Sequence, residues 1–466
     1  MATSAPNTAV SQFIDTHQQR FKEELFELLR IPSVSTDSSE KDSIIKAAKF
    51  LVKKLKDAGM EEVRLVDTPG NPVVMGKHLA AGEDKPTVLI YGHYDVQPPE
   101  PLDLWTSPAF EPVEKDGKVY ARGASDDKGQ AYIHVKALEA WLKSGEPLPV
   151  NVKIILEGEE EIGSPNLVPF LKQHKEELSC DMVLVSDTAM FAKNTPSITY
   201  GLRGLAYMEM EVFGPDRDLH SGAYGGALTN PLNALCNIVS QLQDEDGKIQ
   251  IPGFYDDVID LSPAERKAYE ALPFDEQGWK DSIGIEAATG ETGYSTLERK
   301  SARPTLDMNG MWGGYQGEGA KTVLPAKAGA KISMRLVPNQ HPDDIAEKFT
   351  RHVQSIAPEG VKVKVTPHHG GHPAMTPLDF YGLQAAAQAY GDVYGKQPLF
   401  AREGGSIPIV ADFEKVLGVN TILMGFGLNT DAIHSPNEHF SLEDFHKGIK
   451  TSARFLEVLP GYSADV

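Results

Sequence analysis

The stretch Thr87–Pro98, TVLIYGHYDVQP, joins a run of aliphatic and β-branched residues to a histidine and an aspartate. The apolar run from Thr87 to Tyr91 has the length and composition of a buried strand. It leads directly into His93 and Asp95, residue types that bind metals or transfer protons. The fold class follows from whether other segments repeat this arrangement.

Two further apolar runs lead into acidic residues. Val152 to Leu156 is followed by EGEEE at 157–161, and Met182 to Val185 is followed by Ser186 and Asp187. In an open α/β sheet, residues just past the carboxyl ends of neighbouring strands meet in one crevice. His, Asp and Glu from three separate segments can therefore come together at one edge of the predicted sheet.

The loop Arg122–Gly129, RGASDDKG, precedes a predicted helix and adds further carboxylates. A histidine with several carboxylates is a ligand set for a divalent metal, zinc in the first place. Taken singly, each piece has a simpler interpretation, because EGEEE is typical of a solvated loop and His-x-Asp of a surface turn. Their repeated occurrence at strand ends favours a metal site.

Strands alternate with helices through the first 200 residues, which predicts an α/β sheet covered on both faces. From about residue 204 the pattern changes and predicts a second, smaller α+β domain. Its expected elements are strands at Tyr207 to Phe213, Gly329 to Val337 and Val361 to Val365, and helices at Asn230 to Leu242 and Pro342 to Ile356. Residues 251–301 are polar and punctuated by Gly and Pro, and we assign no elements there.

The composition is that of a globular protein. Of 466 residues, 41% are hydrophobic and 24% charged, which excludes whole-chain disorder and allows two or three domains. There are 66 acidic and 45 basic residues, and the net charge of −21 argues against nucleic acid and anionic membrane as partners.

Compartment and membrane association are predicted from what the sequence lacks. No apolar run approaches the 18 to 20 residues of a membrane span, and the first twenty residues do not resemble a secretory signal. The two cysteines, Cys180 and Cys236, could form at most one disulfide. We therefore expect a reducing, cytoplasmic location.

The motifs together resemble the M20 metallopeptidases, and within them the carnosinase and cytosolic non-specific dipeptidase branch. The resemblance extends from the N-terminal helices to His434, with the motifs in the order of the family. They are GHYDVQP (92–98), RGASDDKG (122–129), EGEEEIGS (157–164), Ser186-Asp187, DLHSG (218–222), REGGSIP (402–408) and His434.

The resemblance implies a site for two divalent ions per subunit, with Zn²⁺ expected and Mn²⁺ as the alternative. The implied ligands are His93 and Asp187 for one ion, Glu161 and His434 for the other, and Asp126 bridging both. Asp95 is expected to accept the second ring N–H of His93, and Glu160 to act as general base. The family also places a cis peptide after its bridging aspartate, here at Asp126-Asp127.

The resemblance also implies a domain organisation and a homodimer. Residues 1–203 and 376–466 would form a zinc-peptidase catalytic domain with a mixed sheet flanked by helices, and residues 204–375 an inserted α+β lid and dimerisation domain. His220 and Thr322 would complete the site of the partner subunit, with His220 stabilising the oxyanion.

The implied reaction is the hydrolysis of dipeptides by a metal-activated water. Arg335, Ser406 and the Gly405 backbone would hold the substrate carboxylate. Two alternatives remain open: an N-acyl amino acid amidohydrolase of the same superfamily, and a peptide-binding protein without catalysis. His368 to His372, HHGGH, matches no ligand of the family, and we interpret it as a hinge or surface loop.

Overall fold

The computed structural model describes residues 6–463. Residues 1–5 and 464–466, at the two ends of the predicted catalytic domain, lie outside the described residues, as does the start of the segment considered for a secretory signal. The chain folds into two units. The first contains the residues up to Tyr200, Thr376–Ala401 and the residues from Asp412 onward, and the second contains Gly201–Met375 and Arg402–Ala411.

The described chain forms the following strands and helices. The strands are β1 (Glu61–Val66), β2 (Val73–His78), β3 (Thr87–His93), β4 (Val113–Lys115), β5 (Lys118–Tyr120), β6 (Asn151–Glu157), β7 (Met182–Val185), β8 (Ala189–Met190), β9 (Ser197–Leu202), β10 (Gly204–Phe213), β11 (Leu219–His220), β12 (Thr305–Gly313), β13 (Val323–Leu324), β14 (Lys327–Leu336), β15 (Lys362–Gly371), β16 (Ala374–Met375), β17 (Leu399–Glu403), β18 (Asn420–Leu423), β19 (Gly427–Leu428) and β20 (His439–Ser441). The helices are α1 (Thr8–Leu29), α2 (Lys41–Ala58), α3 (Lys128–Lys143), α4 (Leu167–Gln173), α5 (Ser221–Tyr224), α6 (Pro231–Ser240), α7 (Pro263–Glu270), α8 (Glu276–Ile283), α9 (Thr296–Ser301), α10 (Pro342–Ser355), α11 (Tyr381–Tyr394), α12 (Pro408–Leu417), α13 (Leu442–Val458) and α14 (Pro460–Ser463). Short 3₁₀ turns occur at Ser38–Glu40, Leu102–Leu104 and Glu160–Ile162.

The first unit is built on a mixed sheet with the strand order β1-β2-β6-β3-β7-β18-β9. The neighbours β6, β3, β7 and β18 run parallel, whereas β1, β2 and β9 are antiparallel to the strands beside them. Every residue of β6 and β7 is buried, and successive side chains of a strand point to opposite faces. Both faces of the sheet centre are therefore covered, and the predicted α/β class with a mixed sheet is confirmed.

The second unit has an antiparallel sheet with the order β12-β14-β10-β15. Residues along β10 alternate between buried and half-buried positions, as expected for a sheet with one covered face. The buried Met208 and Met210 belong to the same apolar core as Leu235 of α6 and Phe349 of α10. An antiparallel sheet with helices on one face is the α+β arrangement that the sequence predicts.

Two segments of the second unit differ from the sequence expectation. Residues 251–301, where we assigned no elements, contain the short helices α7, α8 and α9. Residues 368–371 lie in β15 rather than in a hinge or loop, because their backbone pairs with β10 at Leu205 and Ala206. Backbone pairing holds this strand end although its sequence lacks apolar alternation.

Helix α3 is buried along its length and packs against α1, α2, α13 and β3. Its Lys136 and Glu139 form ion pairs, and the central acceptor is Glu24 of α1. The Glu24 carboxylate lies 3.1 Å from Lys54 Nζ and 2.9 Å from the Tyr132 hydroxyl, and it also accepts a hydrogen bond from Lys136 Nζ. Burial by itself would raise the pKa of Glu24, but the hydrogen bonds, that of Lys136 first, lower it to about 2.

No helix in residues 6–463 is long and apolar enough to span a membrane.

Replacing Glu24 with Gln is expected to destabilise the chain mainly above pH 4.5. The pKa of Glu24 is about 2 in the folded chain and ordinarily 4.5, so the ionised carboxylate stabilises the folded state above pH 4.5. That contribution is lost as the pH falls towards 2. We expect a loss of about 1–2 kcal/mol near neutral pH, reduced by solvent screening, which thermal unfolding in EDTA at several pH values would measure.

The control for this measurement is Glu23→Gln on the exposed side of the same helix. It removes one negative charge of α1 without touching Lys136, so its effect on the melting temperature should be small at every pH. A difference between wild type and Glu24→Gln that stays constant from pH 7 to pH 3 would contradict the assigned pKa.

Candidate metal centre

Three neighbouring parallel strands place charged side chains at one edge of the large sheet. His93 is the last residue of β3 and pairs in register with Glu157, the last residue of β6. Glu160 and Glu161 follow on a 3₁₀ turn, and Asp187 follows the end of β7. Because β6, β3 and β7 are adjacent and parallel, their carboxyl ends bring these side chains together.

Asp126 lies between two histidines that are more than 300 residues apart in the chain. His93 Nε2 is 3.2 Å from Asp126 Oδ1 and 3.9 Å from Asp187 Oδ1. His434 Nε2 is 2.8 Å from Asp126 Oδ2 and 3.4 Å from Glu161 Oε2. These groups form two triads that share Asp126, and within each triad the potential ligand atoms lie within 4.8 Å of one another.

The residues present fit two divalent cations. Among the described residues, His93 Nε2 and Glu161 Oε1 are buried without a hydrogen-bond partner, which is the state of atoms that face a metal. Burial, reinforced by neighbouring carboxylates, raises the pKa of Asp187 to about 6 and that of Glu160 to about 9. Crowded acidic groups ionise together only when cations offset their repulsion. Imidazole and carboxylate ligands suit Zn²⁺ and also Mn²⁺.

The position of Asp126 in both triads depends on the loop between β5 and α3. The Asp126-Asp127 peptide is cis, as the resemblance predicts. The backbone N–H of Asp126 donates to Glu438 Oε1 at 3.1 Å. The neighbouring Asp127 carboxylate accepts the backbone N–H of His93 at 3.2 Å, which ties this loop to the end of β3.

Asp95 has a different contact from the one predicted. His93 Nδ1 lies 3.1 Å from the backbone carbonyl of Asp95, whereas the Asp95 carboxylate is 3.5 Å away. The two carboxylate oxygens instead accept the backbone N–H groups of Glu160 and Glu161, at 3.2 and 3.0 Å. A carboxylate in this position can satisfy two successive amides, so Asp95 orients the loop that carries both glutamates.

Two residues next to the triads were not predicted. Gln97 Nε2 donates to Glu161 Oε2 at 2.7 Å and so orients that carboxylate. Glu438 is fully buried and holds the Asp126 loop. Gln97 lies inside the quoted GHYDVQP motif, but a single glutamine there indicates no function. Glu438 follows His434 by four residues, and only this proximity could have drawn attention to it.

Arg335, Ser406 and Gly405, the predicted substrate contacts, lie in the second unit. Arg335 Nη1 donates to Ser406 Oγ at 2.9 Å, and Ser406 Oγ donates to the carbonyl of Arg203 at 2.5 Å. The Arg203 guanidinium holds the carbonyl of Gly404 at 3.0 Å. Burial, with the nearby Arg335 cation as a second cause, lowers the pKa of Arg203 to about 10. Two neighbouring guanidinium groups make this part of the second unit suitable for an anion.

His220 and Thr322 are also in the second unit. His220 is the last residue of β11, and Thr322 directly precedes β13, the strand that pairs with β11. Both are exposed. The Thr322 carbonyl accepts the backbone N–H of Ser221 at 3.0 Å. The ring of His220 accepts the N–H of Gly222 at Nδ1, at 3.0 Å. In the neutral ring the proton is therefore on Nε2, which leaves that nitrogen as a hydrogen-bond donor.

Comparison with known proteins assigns the chain to a family. The model of peptidase family M20/M25/M40 matches residues 89–458. The Cys-Gly metallodipeptidase dug1 of Schizosaccharomyces pombe is 34% identical over 469 residues, covering 97% of this chain and 98% of that protein. The Beta-Ala-His dipeptidase of Homo sapiens is 32% identical over 463 residues, covering 96% and 91%. The solved structure of the M20 family metallo-carboxypeptidase Sso-CP2 from Sulfolobus solfataricus has a TM-score of 0.83 at 32% identity, covering 94% and 99%.

The fold and the paired triads are those of a metal-dependent hydrolase. The chain belongs to peptidase family M20/M25/M40. The predicted family, the resemblance to its dipeptidase branch and the predicted enzyme class are confirmed.

Replacing Asp126 with Ala is expected to remove both ions, because Asp126 is the residue shared by the two triads. Replacing Asp187 with Ala should affect one ion only, since Asp187 belongs to one triad. Elemental analysis of the purified full chain should give two divalent ions per chain for the wild type, about none for Asp126→Ala and about one for Asp187→Ala.

A matched control is Asp84→Ala, which removes an exposed carboxylate of the same unit and should leave both ions in place. Thermal unfolding of each variant in EDTA shows whether its fold survives. Retention of two ions by a folded Asp126→Ala chain would contradict the prediction that Asp126 binds both ions.

Proposed function

We propose that this chain is a dinuclear metallodipeptidase. The observation that carries the proposal is the pair of triads that share Asp126, with the Glu160 carboxylate beside them. The named activities of the relatives add support, because the S. pombe protein is a Cys-Gly metallodipeptidase and the human protein a Beta-Ala-His dipeptidase.

His93, Asp187 and Asp126 would hold one ion, and Glu161, His434 and Asp126 the other. Zn²⁺ is the proposed metal and Mn²⁺ the alternative. When bound, two such ions lower the pKa of an attacking water and polarise the substrate carbonyl. The protein contributes the orientation of the ligands, through Asp95 and Gln97 among others.

Glu160 is the proposed general base. Burial raises its pKa to about 9, and cations held by the neighbouring triads would stabilise the ionised form and lower that pKa again. The ionised carboxylate would take a proton from the attacking water and return it to the amine that leaves. The Asp95 contact to the Glu160 backbone supports this role because it fixes the start of the 3₁₀ turn.

The substrate is proposed to be a peptide with a free C-terminal carboxylate. Arg335 would bind the carboxylate, with Ser406 and the Gly405 backbone as further donors. The contact of Arg335 to Ser406 and the second guanidinium of Arg203 support an anion at this position. Dipeptides rather than longer chains are proposed from the named substrates of the relatives.

The second unit is proposed to act as a lid and dimerisation domain. In a homodimer, His220 and Thr322 would complete the site of the partner subunit. The Nε2–H of His220 is the donor that a tetrahedral oxyanion requires, and its exposed position leaves it accessible to a substrate.

We also propose a cytoplasmic location. The two cysteines, Cys180 and Cys236, are free thiols, which a reducing compartment preserves. The acidic excess supports solubility and disfavours anionic surfaces as partners.

The wild-type chain loaded with Zn²⁺ or Mn²⁺ is expected to hydrolyse Cys-Gly, Ala-Gly or β-Ala-His, and to leave N-acetyl and N-succinyl amino acids intact. Glu160→Ala should lose about 10²–10⁴-fold in kcat, because proton transfer to and from the substrate is removed. Release of free amino acid, followed by chromatography, measures both effects.

The metal content of Glu160→Ala is the control, because Glu160 is in neither triad and both ions should remain. Hydrolysis confined to the N-acyl compounds would assign the chain to the amidohydrolases of the superfamily. Peptide binding without hydrolysis by the metal-loaded wild type would assign it as a binding protein.

Mixing His220→Ala chains with Arg335→Ala chains is expected to restore activity that neither variant has alone. In a two-fold dimer, each heterodimer would have one intact site, so random mixing should restore about one quarter of the wild-type rate. Dipeptide hydrolysis after refolding the mixture measures this. Properly formed heterodimers that remain inactive would show that His220 acts within its own chain.

A further inference from the structure

We propose that Glu438 is the positioning residue that fixes Asp126 relative to His434, so that binding of both ions depends on a carboxylate that is not itself a ligand. The inference rests on the proposed two-metal site. It concerns the first unit only, in which all of the residues involved lie.

The Glu438 side chain is fully buried and accepts four hydrogen bonds. Oε2 accepts Arg122 Nη1 at 2.7 Å and the backbone N–H of Gly123 at 2.9 Å. Oε1 accepts the backbone N–H groups of Ser125 at 2.9 Å and Asp126 at 3.1 Å. A carboxylate has about four acceptor positions, so the capacity of Glu438 is filled by one loop.

Three of the four donors are backbone amides of the loop that ends in Asp126. A fixed backbone N–H at Asp126 itself determines where the Asp126 side chain begins. Arg122 supplies the counter-charge, and its own Nη2 donates to the carbonyl of Pro98 at 3.1 Å. The buried carboxylate is thus paired and fully hydrogen-bonded without a metal.

Two further contacts attach the segment that carries His434 to the same loop. Ala432, His434 and Asn437 all have positive φ, between 55° and 64°, a region that few residues other than glycine adopt. The segment is attached to the Asp126 loop at both ends. Asp431 accepts the hydroxyl of Ser125 at 3.1 Å, and the carbonyl of Glu438 accepts the N–H of Ala121 at 3.1 Å.

The two loops therefore form one hydrogen-bonded body, although more than 300 residues separate them in sequence. One loop contributes Asp126 and the other His434 to the triad that also contains Glu161, and Asp126 belongs to both triads. Loss of the Glu438 carboxylate would leave amides of the loop unpaired and release Asp126 from its position. Loss of an outer carboxylate of this kind weakens metal binding by about 10–100-fold.

The test is a titration of the EDTA-treated full chain with Co²⁺, followed by its visible absorption, for wild type and Glu438→Gln. The amide offers one oxygen where the carboxylate offers two, and it places an NH₂ group against N–H donors. We expect Glu438→Gln to bind both ions about 10–100-fold more weakly and to give an altered Co²⁺ spectrum. The matched control is Glu298→Gln, which alters a buried carboxylate of the second unit and should match the wild type.

Glu438→Asp keeps the charge opposite Arg122 and serves as a second variant in case the amide prevents folding. The melting temperature of each variant is compared with and without Co²⁺, since the metal-dependent increase reports affinity separately from the stability of the metal-free chain. Glu438→Asp is expected to show a smaller increase than the wild type.

Wild-type affinity for both ions, or a wild-type increase in melting temperature, in either Glu438 variant would overturn the inference. Failure of the proposed function is a separate result. It would be seen in the wild type, as an absence of metal binding or of dipeptide hydrolysis, whereas the role of Glu438 is measured as a ratio of variant to wild type.

Discussion

The concentration of acidic side chains around Asp126 is the constraint on which the rest of the structure depends. Asp187, Glu160 and Glu161 follow the ends of buried strands, and Asp126 lies in the loop before α3. Burial raises the pKa of Asp187 and Glu160 well above ordinary values. Carboxylates crowded in this way ionise together only when cations offset their repulsion. Two divalent ions would change the net charge of the chain from −21 to −17. Part of the acidic excess therefore lies in the candidate metal centre, where it would offset the charge of the ions.

Two kinds of carboxylate contribute to this part of the first unit. Asp95 and Glu438 accept successive backbone amides and are satisfied by the protein itself. Glu161 keeps a buried oxygen without a partner among the described residues, and Asp126 faces two histidines. The first kind holds loops in place so that the second kind can converge. Such rigidity matters because metal affinity falls when the residues that hold the ligands in place are lost.

Much of this could be predicted from sequence because a short apolar run ending in His, Asp or Glu is visible in one dimension. The resemblance to the family then predicted roles that spacing alone leaves open, such as which of Glu160 and Glu161 is the general base and which is the metal ligand. Individual hydrogen-bond partners could not be predicted in this way. The Asp95 carboxylate lies 3.5 Å from His93 Nδ1 and accepts the backbone N–H groups of Glu160 and Glu161, because loop geometry decides which donors reach it. Glu438 has no local signature, since its partners are about 312 to 316 residues away.

The helices within residues 251–301 were missed for a different reason. Ser262 with Glu265, and Ser295 with Glu298, form capping boxes at the starts of α7 and α9, and the S-x-x-E pattern is readable in the sequence. Weak apolar periodicity concealed it, because both helices are short. For elements of this length the cap is the more reliable signal, since it satisfies amides that a helix of one or two turns has few other means of pairing.

The two units differ in the kind of chemistry that they offer to a substrate. The first presents histidines and carboxylates, which are groups suited to cations and to accepting protons. The second presents donors, namely the guanidinium groups of Arg335 and Arg203 and the Nε2–H of His220. A dipeptide carries an electrophilic carbonyl and a terminal carboxylate, and hydrolysis creates a further negative charge on the carbonyl oxygen. The proposed reaction therefore needs cations and proton acceptors for the water and the carbonyl, and hydrogen-bond donors for the oxyanion and the terminal carboxylate.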